Sequence, residues 1–352
     1  MTNQNPKSYR RYLSGLGLLL LLPVLFVLHL SLGSVAITST DILHFISGSL
    51  ENSPVRTILM EIRFPRAVTA LLAGSALSVS GLLMQTLFRN PLAGPSVLGI
   101  TSGASLGVAL VMLAFGQVAS AMAIQQVGMG GGWLLVLAAS LGAGLVMMVI
   151  ILISLVIRDN VTLLIIGIMI GYLTIALVSI GQYFSAPGQV RDYVVWTFGS
   201  LGGVTTDQLE ILIPVILAGL LSSFLLLKPL NAMLLGDTYA KSLGIRVQVF
   251  RVAIIGITSI LAGAITAFCG PIGFIGIAVP HLARSLLNTS DHRWLIPFTM
   301  VIGALIMMVC DLVAKWPGSA ESLPISAVTS LLGAPVVIWV IISRNNLRSA
   351  FG

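Results

Sequence analysis

Between Arg89 and Arg158 the chain contains no charged side chain at all. A soluble domain cannot be built that way, because a water-facing surface needs charge on every element that reaches it. The same poverty holds throughout: 57% of the 352 residues are hydrophobic and 8% are charged, against about 25% charged in a soluble domain. Mean hydropathy is +1.05. The chain therefore reads as an integral membrane protein, which excludes soluble enzymes, nucleic-acid binders and disulfide-stapled secreted domains.

A membrane-crossing helix needs about 20 mainly apolar residues. Ten segments approach that length, at 13–32, 64–88, 92–115, 133–157, 161–184, 209–227, 247–269, 271–287, 294–314 and 324–343. Inside the charge-free stretch the break falls at the glycine run 128–132. Alternating strands of about ten residues are absent, which excludes an outer-membrane barrel. If the N-terminus lies in the cytoplasm and the spans alternate, only Arg56, Arg63, Arg66, Arg191 and Lys315 of the 18 basic residues fall outside. That asymmetry obeys the positive-inside rule. The acids lean the other way, with Asp159, Asp237 and Asp291 inside. The expected fold is all-α and polytopic, with ten transmembrane helices, both termini cytoplasmic and one domain over 1–352. The first segment ends in Ser34-Val35-Ala36, a signal-like site, but its apolar run exceeds the usual signal core. It is read as a retained anchor.

Tyr9, Tyr12, Trp133, Trp294 and Trp316 sit where interfacial belts belong. Gly74-Ser75-Ala76, Ser78, Ser80 and Gly81 crowd one segment, the mark of close helix contact in lipid. Leu72-Ala73-Gly74 returns as Leu261-Ala262-Gly263 five segments later, a faint trace of an inverted repeat.

The absences are equally informative. No Asp, Glu, Lys or Arg stands at mid-depth of a span, and His29 lies near an end; proton- or sodium-driven carriers usually need such groups. No GxxxxGK[ST] loop is present, so the chain has no P-loop of its own. His29, His44, His281 and His292 lack metal-ligand spacing, and Cys269 and Cys310 lie in apolar runs as packing residues. The expectation is no catalytic residue, no metal site and a passive pathway energised by a partner.

Three stretches depart from plain membrane helix. Arg63-Phe64-Pro65-Arg66 enters the second span, and Asn90-Pro91-Leu92-Ala93-Gly94-Pro95 leaves it. Pro65 is expected to open that helix, which would put two cations at an unfavourable helix N-terminus. The loop from Leu235-Gly236-Asp237 to Ala240-Lys241-Ser242-Leu243-Gly244 combines apolar residues with glycines at both ends. It fits either a short helix laid into a partner's groove or a solvated connector. The third stretch runs from Gly270-Pro271-Ile272-Gly273 through Val279-Pro280-His281 and Arg284 to Asp311, Lys315, Glu321-Ser322-Leu323-Pro324 and Leu332-Gly333-Ala334-Pro335.

In order and spacing, these motifs closely resemble the permease family of bacterial type II ABC importers for iron chelates, haem and cobalamin. The likeness covers about residues 60 to 343. It implies a non-catalytic subunit of the bacterial inner membrane that pairs with a second copy of itself. Two cytoplasmic ATPases would carry ATP and Mg, this chain binding no cofactor, and a periplasmic or lipid-anchored substrate-binding protein would deliver a metal chelate. The default cargo is a ferric siderophore, with haem and cobalamin behind. The resemblance implies ATPase coupling through Leu235, Gly236, Tyr239, Ala240, Leu243 and Gly244. It also implies binding-protein docking at Arg63, Arg66 and Lys315, and an inner gate at Asn90 and Leu92. From the residues alone, the basic side chains equally fit lipid headgroups or a surface Asp311–Lys315 pair, and 90–95 a tight turn. A self-contained channel or secondary carrier for a small solute is the alternative function.

Overall fold

The computed structural model describes residues 6–33, 35, 37–48, 54–114, 131–157, 159–315 and 322–349. Ser34, Ala36, residues 128–130, Arg158, Trp316 and Glu321 lie outside them, as do the side chains of Tyr9 and Tyr12. The described residues are helical with no strand. In chain order the helices are α1 (Pro6–Ser31), α2 (Ser39–Ile46), α3 (Pro54–Leu87), α4 (Ile100–Ala109), α5 (Gly131–Val156), α6 (Asn160–Tyr183) and α7 (Pro187–Thr197). They continue as α8 (Thr206–Leu225), α9 (Leu227–Leu234), α10 (Asp237–Ser242), α11 (Val247–Cys269), α12 (Ile275–Leu287), α13 (His292–Ala314) and α14 (Ile325–Ser349).

Six of these are long and apolar enough to cross a membrane: α3, α5, α6, α8, α11 and α13. Shorter apolar helices at Gly15–Ser31, Ile100–Leu113, Ile275–Leu287 and Ile325–Trp339 occupy the remaining four segments expected from the sequence.

The bundle is organised around α3. Its apolar stretch is 89% buried, against 28% for α5 and 22% for α6, where leucines such as Leu141, Leu145, Leu173 and Leu177 face outward. Hydrophobicity does not drive association in lipid, so the axis helix is held by close backbone approach. At Gly74 a Cβ would overlap the Gly303 carbonyl of α13, and at Gly81 the Gly276 carbonyl of α12. The small residues singled out in the sequence are these crossing points.

The expected helix start at Pro65 is corrected. Helix α3 begins at Pro54 and reaches Pro65 through a π-helical turn, Ile58–Arg63, in which the Phe64 N–H bonds the Leu59 carbonyl. Proline lacks a donor and crowds the preceding turn; one widened turn absorbs both problems without ending the helix. Arg63 and Arg66 are therefore interior to a helix, and the unfavourable dipole argument does not apply to them.

Candidate functional site

The charged side chains that the sequence scatters over 250 residues gather at the two ends of the buried stretch of α3, Phe64–Leu87. Arg66 and Arg89 are 23 positions apart, about 34 Å along a helix axis, close to the thickness of a hydrocarbon core.

At the first end, Arg63 is buried, 5% exposed, with its guanidinium turned onto backbone. Nη1 donates to the carbonyls of Leu30 (2.6 Å) and Ser31 (2.7 Å), and Nη2 to that of Val35. It closes the exposed end of α1, whose last carbonyls have no helical partner. Arg66 grips Asp311 on α13: Nε stands 3.0 and 2.9 Å from the two carboxylate oxygens, and Nη2 2.8 Å from Oδ1. Lys315 Nζ lies 3.2 Å from Asp311 Oδ2 and 3.1 Å from His29 Nδ1. His29 Nε2 is 3.1 Å from the Met308 carbonyl. With Lys315 donating to Nδ1 and Nε2–H donating to the carbonyl, this geometry selects one neutral tautomer. Asp311 is fully buried, so the surface Asp311–Lys315 pair is corrected to the centre of a buried network joining α1, α3 and α13. Arg66 and Asp311 also border a cavity of about 210 Å³ whose wall includes Phe198, Ser200 and Leu323.

The second end has a different character. Arg89 leaves α3 with a positive φ of 47°. Asn90 Oδ1 then accepts the Leu92 N–H at 2.9 Å, an Asx turn that needs no help from helix continuation. Leu92 is 44% exposed. His281 Nε2 meets the Pro91 carbonyl at 2.7 Å and Asn160 Nδ2 donates to the Leu87 carbonyl at 2.8 Å, pinning the turn from α12 and α6. Asp159 caps α6 by accepting from the N–H and Oγ1 of Thr162, at 2.7 and 2.6 Å; these bonds hold its carboxyl below the usual range.

Beside this turn sits α10. Gly236, with φ 117°, and Gly244, with φ 77°, bracket it, conformations that cost a side-chain-bearing residue strain. Leu235, Tyr239 and Leu243 follow a spacing of four and stand 68%, 47% and 57% exposed, while Ala240 is buried. Asp237 pairs with Arg89, and its other oxygen lies 3.7 Å from Arg251 Nη2 on α11. Further along this end, His292 Nε2 is 2.8 Å from Thr86 Oγ1 and its Nδ1 2.8 Å from Asn231 Oδ1. Asn231 Nδ2 donates to Asp291 at 2.7 Å, so α9, α13 and α3 are tied together.

All eleven residues singled out in the sequence thus fall at one end of α3 or the other. Sequence reasoning missed Arg89, Asn231, Arg251 and His292, whose partners are remote in the chain. Among the described residues no cluster of three metal-ligating side chains exists, and Cys269 and Cys310 are free and buried.

Residues 20–343 match the profile of the FecCD transport family. The chain belongs to the FecCD transport family. Over 337 residues it is 36% identical to the vitamin B12 import system permease protein BtuC of Klebsiella pneumoniae subsp. pneumoniae, covering 95% of this chain and 94% of that protein. Its identity to the BtuC of Salmonella typhimurium is also 36%, over 80% of this chain and 82% of that one. The fold aligns with a solved metal-chelate type ABC transporter in an inward-facing conformation, with a TM-score of 0.79 and 29% identity, across 94% of this chain and 98% of the other. This FecCD member is a multi-pass permease of the bacterial inner membrane.

Proposed function

We propose that this chain is the membrane-spanning subunit of a type II ABC importer that passes a metal chelate inward, as a homodimer driven by two cytoplasmic ATPases. The observation carrying the reading is the short helix α10, which presents Leu235, Tyr239 and Leu243 to solvent in a chain 36% identical to BtuC over nearly its whole length. An unpartnered apolar face on a soluble edge is a docking surface, and an amphipathic helix seated in a groove is a recurrent way to fill one. On this reading 235–244 is the coupling element, within a single permease domain. The six long and four shorter apolar helices make ten crossings, with the α10 side and both termini cytoplasmic.

The Asn90–Leu92 turn is the inner gate, where leucine bulk closes a pore by excluding water. At the opposite end an external binding protein docks. Arg66 is the cation that meets it, because it borders the open cavity and Asp311 takes its Nε and Nη2, leaving Nη1 to donate to an incoming carboxylate. Arg63, with its donors spent on backbone, and Lys315, held by Asp311 and His29, position α1, α3 and α13 around it. The chain supplies no cofactor; ATP and Mg reside on the partner.

Cobalamin is the first cargo to test, since the vitamin B12 permeases are the relatives at 36% identity; a ferric siderophore and haem are the others. Competition for uptake in cells expressing the full importer distinguishes them. Labelled cyanocobalamin uptake, suppressed by excess unlabelled cobalamin and not by ferric siderophore or haem, is expected. Uptake competed only by one of the other two chelates would move the assignment to it.

A further inference from the structure

Asp237 lies on the coupling element but contributes nothing to its exposed apolar face. It turns back toward the bundle and meets two arginines from different helices. Arg89 follows Phe88, the residue that caps α3, and immediately precedes Asn90. Its guanidinium also covers Gly236, whose absent Cβ would stand 3.9 Å from Arg89 Nη1. Arg251, 3.7 Å from the other carboxylate oxygen, is 2% exposed at the base of α11. Its Nη1 also donates to the Ile157 carbonyl at the end of α5, at 3.2 Å.

These two contacts differ in strength. The Arg89 pair is half in water, and such pairs alone hold weakly. Arg251 cannot shed its charge and is nearly buried, so at 3.7 Å, without a hydrogen bond, it attracts the carboxylate through a less screened path. Asp237 thereby has Oδ2 drawn toward α11 and Oδ1 bonded to Arg89, the residue just before the gate turn. Arg89 is itself constrained by its left-handed backbone, so a displaced side chain is passed on to the Asn90–Leu92 turn rather than absorbed by a flexible helix end.

We propose that Asp237 is the positioning residue that transmits movement of α10 to the gate turn, through Arg89, with Arg251 as its fulcrum. This rests on the reading of α10 as the coupling element. It adds that gripping the ATPase and moving the gate are separate tasks of separate side chains on that element: Leu235, Tyr239 and Leu243 do the first, Asp237 the second.

The test uses the complete importer, with its ATPase and binding protein, in proteoliposomes. Asp237→Asn is expected to co-purify with the ATPase and hydrolyse ATP as the parent does, while uptake falls about tenfold, within the usual range of a coupling between sites. Asp237→Glu, which keeps the charge, should recover most of the uptake. In a second variant Arg89→Cys is combined with Asp237→Cys, and the pair is bridged by a short thiol-reactive spacer; Cys269 and Cys310 are buried and stay unlabelled. Bridging should raise uptake above that of the unbridged pair. Parental uptake by Asp237→Asn, or a bridged pair as slow as the unbridged one, overturns the proposal. Loss of the ATPase from Asp237→Asn overturns it too, by placing Asp237 in the partner interface. Failure of the coupling reading itself appears elsewhere: Leu243→Ser would then keep its ATPase, while Asp237→Asn still reports on the link.

Discussion

The two ends of α3 carry similar chemistry in opposite settings. At one end a carboxylate, Asp311, is fully buried and ringed by Arg66, Lys315 and His29, with Arg63 locked onto backbone beside it. At the other, Asp237 is 30% exposed, bridges Arg89 and Arg251, and sits on a helix of six residues bracketed by two glycines of positive φ. A buried, multiply bonded network resists rearrangement, because breaking it strands charge in a low-dielectric interior. A half-exposed pair on a short element can be moved at little cost. The first end is built to stay, and the second to respond.

The largest effect expected from this contrast is at Asp311. Asp311→Asn leaves Arg66 and Lys315 facing each other without a counter-charge and should destabilise the protein by about 3–5 kcal/mol, the usual cost of breaking a buried pair. Asp237→Asn should cost no more than about 1 kcal/mol. Denaturation of both variants in the same detergent measures the difference, and equal losses would erase the distinction between the ends. Next in size is Gly303→Val. Where the backbones of α3 and α13 touch, added volume should cost about 1–3 kcal/mol, whereas Gly144→Val, with open space at its Cβ, should leave the melting temperature unchanged within error.

How the sequence foresaw these regions follows the range of the interactions involved. Each of the ten apolar segments holds a helix among the described residues, and six of those helices are long and apolar enough to cross a membrane, since a run of that length carries its own signal. The small residues at 74–81 became helix crossings for the same local reason. Gly236 and Gly244 announced the edges of α10 through backbone freedom that only nearby geometry demands. The start of α3 was not legible: Pro65 is a good helix opener by local rule, and only the π turn at Ile58–Arg63 lets the helix run through it. Nor was the burial of Arg63 or the pairing of Arg66, whose partners are up to 245 positions away. The echoed Leu-Ala-Gly triplets separate in role as well. Gly74 is a tight crossing, whereas Gly263 has only ordinary contact with Ala143 and Ile100.

Smaller still in stability, though not in function, is the apolar face of α10. Leu235→Ser, Tyr239→Ser and Leu243→Ser should each change the melting temperature little, because these side chains are already exposed. Each should weaken retention of the ATPase by about tenfold, as expected where about 1–2 kcal/mol of apolar contact is lost per anchor. Pull-down at graded salt reads this out. Lys315→Met should give a smaller change than Asp311→Asn, since Arg66 already satisfies Asp311 with both Nε and Nη2; thermal unfolding of the two variants side by side checks it.

The account stands or falls on whether this chain is a passive conduit moved from its α10 end. Accumulation of labelled metal chelate should be followed in proteoliposomes holding this permease alone, and then with its ATPase, its binding protein and ATP. The account predicts accumulation only in the complete, ATP-supplied system, and none from the permease alone under an imposed ion or proton gradient. Gradient-driven accumulation by the permease on its own would contradict it.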